Sequence, residues 1–199
     1  MKKLNIILFS FFFLLTTSFA STYSTDPKMF VAELVDDAIN SLADKNLTKE
    51  EKEKFIEKIA LENVDINALG LYTLGVLRKS SSEEDISNYK KSFEKYFLKS
   101  LTSRLTDYSS SKFEILGEDK KSANTTIVNS KVMPSDGSPE IKIDWRVYTK
   151  NPDNPLIRDL IIEGLSLART QKEEFASILN SNDGDINALY EALEKFANN

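Results

Sequence analysis

A serine between small and apolar residues is the first feature of the chain that could do chemistry. Residues 164–168, Gly-Leu-Ser-Leu-Ala, are similar to the turn that exposes the nucleophile of serine hydrolases, and they lie at a predicted strand-to-helix junction. The second glycine of that motif is absent, and the 199 residues include no His that could activate the hydroxyl of Ser166. We therefore interpret Gly164 as relieving a tight turn and Ser166 as the cap of the next helix.

A second candidate is a calcium-binding loop near the end of the chain. Residues 180–185 are Asn-Ser-Asn-Asp-Gly-Asp, and Glu191 follows Asn180 by 11 residues. In a calcium loop the glycine would stand one position later, and the first ligand would be Asp instead of Asn. A helix-ending turn capped by Asp185 accounts for these residues, so we expect neither a metal nor a cofactor.

The composition excludes several other kinds of site. The chain has no Cys, which excludes disulfides, thiol nucleophiles and Cys-ligated zinc. Its net charge is −5, so a broad basic surface for nucleic acid is not expected. Carboxylates could form an acid–base pair, but nothing in their spacing marks one. With 41% hydrophobic and 29% charged residues, the composition is that of a globular protein.

The first 20 residues match the pattern of a secretory signal peptide. Two lysines follow the initiating Met, residues 4–15 are apolar, and Ser18-Phe19-Ala20 has the small-x-small form of a cleavage site. We therefore expect cleavage after Ala20 and a location in the bacterial periplasm. No other segment has the roughly 20 apolar residues of a membrane-spanning helix. Residues 21–199 are expected to form one domain.

Four helices are predicted before the first strand. Asp26 caps the first and precedes Pro27, Thr48 opens the capping box of the second, and Asp65 caps the third. The long fourth helix is expected to end at the serines 109–111. Its apolar stripe has a spacing of mostly four residues and consists of Tyr89, Phe93, Phe97, Leu101, Leu105 and Tyr108.

The pattern then changes to the two-residue alternation of strands. In the third of these strands, apolar residues alternate with charged and polar ones, so one face of the sheet is expected to be buried. We predict an α+β fold in which helices pack on a four-stranded antiparallel sheet. The predicted strands run from Phe113 to Gly117 and over 122–133, 141–148 and 156–165, and two helices follow over 168–180 and 186–197.

Several segments taken together form one ordered pattern. Leu74-Gly75 precedes the long helix, residues 159–167 (Asp-Leu-Ile-Ile-Glu-Gly-Leu-Ser-Leu) are followed eight positions later by Phe175, and residues 184–189 (Gly-Asp-Ile-Asn-Ala-Leu) come near the end. This pattern resembles the MlaC family, also called the toluene-tolerance auxiliary family, over about residues 26–197. The segment 159–167 is its most specific part.

The resemblance implies a fold and a function. The fold would be a nuclear-transport-factor-like cone, in which a curved antiparallel sheet is wrapped by helices around a cavity for acyl chains. The protein would be a periplasmic phospholipid carrier and not an enzyme. Its partners would be the inner-membrane complex of a lipid ABC transporter and an outer-membrane lipoprotein complex, met transiently by a monomer. A soluble carrier must enclose the tails, because about thirty methylenes represent about 24 kcal/mol of hydrophobic free energy.

Apolar stripes of the predicted elements supply candidate walls for such a cavity. They lie at the end of the third helix, along the fourth helix and on the third and fourth strands. The candidate tail-cavity residues are Leu74, Phe93, Phe97, Leu101, Leu105, Ile143, Trp145, Val147, Leu160, Ile162 and Leu165.

Cations near the mouth of the cavity are candidates to meet the phosphate of the headgroup. They are Arg78, Lys79, Arg146, Arg158 and Lys172. Lys172 stands where the family usually has an Arg, which keeps the charge but loses the two-pronged contact of a guanidinium.

Two alternatives from other classes stay open at this stage. One is a carboxylate-dependent periplasmic hydrolase on the same cone fold, which would need a polar, carboxylate-lined cavity. The other is an interaction module without a cavity, which would show a solid, dry core packed to ordinary density.

Overall fold

The computed structural model describes residues 23–105 and 112–198, which form helices, then a sheet, then helices. The expected signal peptide and the expected helix end at 109–111 lie outside the described residues. A 3-10 helix, Gly75–Lys79, separates the third and fourth α-helices. The elements are α1 (Pro27–Ala43), α2 (Lys49–Asn63), α3 (Ile66–Thr73), α4 (Glu83–Leu105), β1 (Lys112–Ser122), β2 (Thr125–Met133), β3 (Ile141–Tyr148), β4 (Leu156–Ile162), β5 (Leu165–Ser166), α5 (Leu167–Asn180) and α6 (Ile186–Ala197).

Helix starts follow the predicted caps. The carboxylate of Asp26 accepts a hydrogen bond from the backbone N–H of Met29 at 3.0 Å, and Asp65 caps α3 in the same way. Thr48 and Glu51 form the full capping box, in which each side chain accepts from the backbone N–H of the other residue, at 3.2 and 2.8 Å. These bonds satisfy N–H groups that a helix leaves without a partner in its first turn.

The sheet is antiparallel, with strand order β1-β2-β3-β4-β5. This confirms the predicted α+β class, but the predicted single strand over 156–165 is wrong. Glu163 and Gly164 adopt φ of 48° and 82°, and they reverse the chain. Residues 165–166 therefore pair back onto the end of β4 as a short fifth strand instead of extending it.

Strand β1 is longer than predicted. It passes through Gly117 and ends at Ser122, with a shift of register between Ile115 and Gly117. A glycine within a strand often marks such a bulge, so Gly117 bends the strand instead of ending it.

The helices cover the sheet unevenly. α1 packs across β1 and β2, α3 packs on β4, and α5 packs on β4 and β5. α4 packs on α2, α3 and α6, and among the described elements no helix packs extensively on β3. In the same part of the chain, no helix is both long enough and apolar enough to cross a membrane.

The buried apolar residues divide into two clusters, and the partly buried Val64 packs against both. The sheet cluster joins α1 and α2 to the sheet, whereas the helical cluster joins α3, α4, α5 and α6. A domain more often has one contiguous core. The sheet cluster consists of Phe30, Val31, Leu34, Val35, Ile59, Val128, Val147 and Ile157, and the helical cluster of Ile66, Leu74, Tyr89, Phe93, Phe175, Leu179, Leu189 and Leu193.

Gly70 lets α3 approach α4 closely, and this contact gives a first prediction. A Cβ at position 70 would lie 2.9 Å from Cδ1 of Phe93, whose ring is 3% exposed and packed between Tyr89 and Phe175. We expect Gly70→Ala to lower the free energy of unfolding by about 1–3 kcal/mol, because the ring has no room to move. Urea denaturation measures this effect.

Gly117→Ala is the matched control, because no atom lies within 4 Å of a Cβ built at position 117. Its free energy of unfolding should stay within about 0.5 kcal/mol of the wild-type value. Equal effects of the two substitutions would contradict the crowding argument.

Candidate functional site

The inner face of β3 carries apolar side chains that no described helix covers extensively. Ile143 and Trp145 point to this face and are only half-buried. In the register of the sheet, Ile143 lies opposite Ile162 and Trp145 lies opposite Leu160, and both partners are half-buried as well. These four residues form an apolar surface beside the sheet cluster, and we call it the β3 surface.

The indole of Trp145 is held in place from two sides. Its Nε1 donates a hydrogen bond to Oγ of Ser130 at 2.9 Å, and that hydroxyl donates to the carbonyl of Ile143 at 2.7 Å. The ring of Phe113 meets the indole edge-on, with centroids 6.2 Å apart. The polar edge of the indole is therefore satisfied within the sheet, which leaves the apolar ring to form the surface.

Burial falls along the apolar stripe of α4. Tyr89 and Phe93 are 0% and 3% exposed and belong to the helical cluster, whereas Phe97 and Leu101 are half-buried. Leu105 ends the helix, and its side chain lies outside what the structure describes. The first half of the stripe is thus ordinary packed core, and the second half is accessible apolar surface.

A buried hydroxyl pair supports the packed half of α4. Oγ1 of Thr73 donates to the carbonyl of Gly70 at 2.9 Å and lies 2.8 Å from the phenol oxygen of Tyr89. The phenol therefore donates to Thr73. Burial raises the pKa of Tyr89 above its usual value, so this phenol remains a neutral donor.

The predicted tail-cavity residues fall into two groups. Leu74, Phe93 and Phe97 belong to the helical cluster or pack against it. Trp145 and Leu160 pack against the sheet cluster, to which Val147 belongs. The structure brings the members of each group together, and Val64 packs against both clusters.

Leu165 departs from the prediction. The chain reversal at residues 163–164 takes it out of β4, and its side chain is 69% exposed at the edge of the sheet. In the register of the sheet it lies opposite Ile162, so it borders the β3 surface as an exposed residue of the short edge strand.

Two of the predicted mouth cations are engaged in ion pairs. The guanidinium of Arg158 contacts Oδ2 of Asp65 through Nε at 2.8 Å and through a terminal nitrogen at 2.7 Å, and it lies 3.3 Å from the ring centroid of Tyr148. Nε of Arg146 lies 3.8 Å from a carboxylate oxygen of Asp159. Arg158 thus joins β4 to the start of α3, and its charge is already balanced.

The other three cations lie near the 3-10 helix. Arg78 and Lys79 are in its last turn and are exposed. The ammonium of Lys172, on α5, lies 5.2 Å from the ring centroid of Tyr72, and its Cε would be 3.5 Å from a Cβ at Gly75. The five predicted cations therefore form two groups, one on β3 and β4 and one on the 3-10 helix and α5.

The two motifs with catalytic or metal-binding potential have structural roles. Oγ of Ser166 accepts from the backbone N–H of Arg169 at 3.1 Å and donates to Asp159 at 2.7 Å, so it caps α5 as expected. Asp185 caps α6, also as expected. Among the described residues, no three Asp, Glu, His or Cys side chains are grouped as metal ligands would be.

An open cleft of about 740 Å³ lies between α1 and the start of β1. Sequence reasoning did not assign it, although the two-residue alternation had already marked Phe113 and Ile115 as one face of a strand. A smaller recess of about 470 Å³ lies at the other end of the sheet, beside the Asp65–Arg158 pair. The larger cleft, which we call the α1–β1 cleft, is lined by Ala32, Glu33, Asp36, Ile39, Lys112, Phe113, Glu114, Ile115 and Met133.

Comparisons with known proteins give a family and a fold. The family described as MlaC protein matches residues 32–195. A solved structure of a phospholipid-binding protein from Ralstonia solanacearum, in complex with a phospholipid, superposes with a TM-score of 0.69. The two sequences are 19% identical, and the match covers 84% of this chain and 94% of the other, which shows a shared fold. No curated protein matches the sequence.

Proposed function

This chain belongs to the MlaC family, and from that membership we propose that it is a phospholipid carrier of the periplasm. The observation that carries the proposal is the β3 surface within a fold shared with a phospholipid-bound protein. Acyl chains lying against Ile143 and Trp145 would remove from water an apolar surface that the helices of the described residues cover only in part. Half-buried Phe97 and Leu101 on α4 are proposed to contribute to the same cavity.

We propose that the protein binds its cargo without chemical change. Asp159 is the buried carboxylate among the described residues, at 6% exposure, and both of its oxygens accept structural hydrogen bonds. A hydrolase of the carboxylate type needs an acid or base that can reach a substrate. The observed roles of Asp159 and Ser166 therefore favour a carrier over a hydrolase.

The proposed cycle has two ends. The carrier would take a phospholipid from a membrane complex on one side of the periplasm and deliver it to a complex on the other, as a monomer that docks transiently. Export would depend on the signal peptide, with cleavage after Ala20. Without Lys2 and Lys3 of the signal peptide the chain has a net charge of −7, which suits release after loading because an acidic protein is repelled by an anionic bilayer surface.

The test is to express residues 21–199, purify them without detergent and analyse them by native and then denaturing mass spectrometry with lipid extraction. We expect about one phospholipid per chain, because tails left in water would cost many kcal/mol. Lipid-free protein that also takes no lipid from vesicles would overturn the proposal.

A further inference from the structure

The α1–β1 cleft leads directly to the apolar surface proposed to hold the tails. Ile39, Phe113 and Ile115 line the cleft and also pack against the sheet cluster. Phe113 continues inward to the edge-on contact with Trp145. The ring of Phe113 therefore forms an apolar connection between the cleft, which is open to solvent, and the β3 surface.

The size and lining of the cleft fit an extended hydrocarbon chain. Its volume of about 740 Å³ lies within the range of small-molecule sites, roughly 300–1,000 Å³. Ala32 on α1 is small and partly exposed, and Met133 at the end of β2 adds an apolar, partly buried side chain to the lining. An apolar floor with a charged rim admits a chain that is apolar along its length and polar at one end.

The rim does not offer a cationic phosphate site. Glu33 and Asp36 stand on α1, and the carboxylate of Glu114 is paired with Lys131 at 3.3 Å. Lys112 is the cation of the lining, and the five cations predicted for the mouth lie elsewhere. Because most charged residues of the lining are acidic, they do not bind an anionic phosphate. The lining therefore favours passage of the tails while the phosphate stays in water.

We propose that the α1–β1 cleft is the portal through which the acyl chains of a phospholipid enter and leave, an inference that rests on the proposed carrier function. Narrowing the cleft should slow loading and unloading. It should leave the amount of lipid held at equilibrium unchanged, because the β3 surface is not altered.

The portal proposal can be tested with a removable label that blocks the cleft. Because the chain has no Cys, a single introduced Cys is the one site that a thiol reagent can label. Ala32→Cys places one thiol in the cleft, and a bulky methanethiosulfonate reagent attaches after folding and is released by reductant. The control is Leu61→Cys on α2, at a position that is 50% exposed and is not part of the cleft lining. The readout is the rate of uptake of a fluorescent phosphatidylethanolamine from phosphatidylcholine vesicles, followed by mass spectrometry of the loaded protein.

We expect the label at position 32 to slow uptake by at least about tenfold, the label at position 61 to leave the rate unchanged, and reductant to restore the rate of the protein labelled at position 32. The portal proposal would be overturned if protein labelled at position 32 took up lipid at the wild-type rate. It would also be overturned if the labels at the two positions slowed uptake equally. A third result would also overturn it. If the unlabelled protein is a dimer in ultracentrifugation, and the label at position 32 dissociates the dimer without changing the uptake rate, the cleft binds a second copy of the chain instead of acyl chains. Wild-type protein that takes up no lipid would instead count against the carrier function itself.

Discussion

We expect Trp145→Asp to purify without phospholipid. The indole lies at the centre of the β3 surface, between Ser130, Phe113 and Leu160. An aspartate there would place a carboxylate beside hydrocarbon tails with no cation opposite it. The penalty for such a buried charge is on the order of several kcal/mol, which corresponds to a loss of lipid affinity of about a hundredfold or more.

Two variants give this prediction its controls. Lys142→Asp introduces a carboxylate on the same strand but on the outward face, where position 142 is exposed, and it should retain lipid. Trp145→Phe keeps an apolar ring and should also retain most of it. The measurement is lipid per protein by mass spectrometry, with circular dichroism to establish folding. A folded Trp145→Asp that holds lipid at the wild-type level would show that the tails do not lie over β3.

The second large effect is expected on stability, for Asp159→Ala. The buried carboxylate accepts from Oγ of Ser166 at 2.7 Å and from the backbone N–H of Ala168 at 3.1 Å, and so it fastens the first turn of α5 to β4. Alanine would leave both donors without their acceptor. We expect a loss of about 3 kcal/mol in the free energy of unfolding of lipid-free protein, since bonds to buried charged groups contribute more than neutral ones.

The control for this variant is Asp144→Ala on the neighbouring strand. The carboxylate of Asp144 accepts from Asn129 at 2.8 Å but is only half-buried, so water can replace it, and the expected loss is below about 1 kcal/mol. Urea denaturation of the two variants under the same conditions measures both losses in the free energy of unfolding. A loss no larger for Asp159→Ala than for Asp144→Ala would show that α5 is held by its apolar contacts instead.

Local chemistry made the helices predictable from sequence. The caps Asp26, Thr48, Asp65, Ser166 and Asp185 each bond an N–H group in the helix that follows. Each of these bonds joins residues two or three positions apart, so the local sequence is enough to predict where a helix starts. The alternation in β3 likewise predicted which side chains share a face of the sheet.

Features that depend on distant residues were less predictable. Glu163 adopts a positive φ, which its residue type does not favour, and the resulting reversal places Leu165 in a separate fifth strand opposite Ile162 instead of in the predicted strand over 156–165. The partners of Arg158 come from 93 positions away, at Asp65, and from Tyr148. Charge alone could not show that this cation is already paired, and the α1–β1 cleft depends on two elements far apart in the chain.

The division of the core between the sheet cluster and the helical cluster bears on how the chain unfolds. Each cluster has its own fully buried residues, and they meet at Val64, where Asp65 also donates its N–H to Ile157. Cooperative units of a fold commonly coincide with such separately packed groups, so we expect the helical cluster of α3 to α6 and the sheet cluster with α1 and α2 to open with different free energies. The boundary between these units lies at Val64, which bridges to Ile157 at the start of β4, so an opening of one unit against the other would separate α3 from the sheet there.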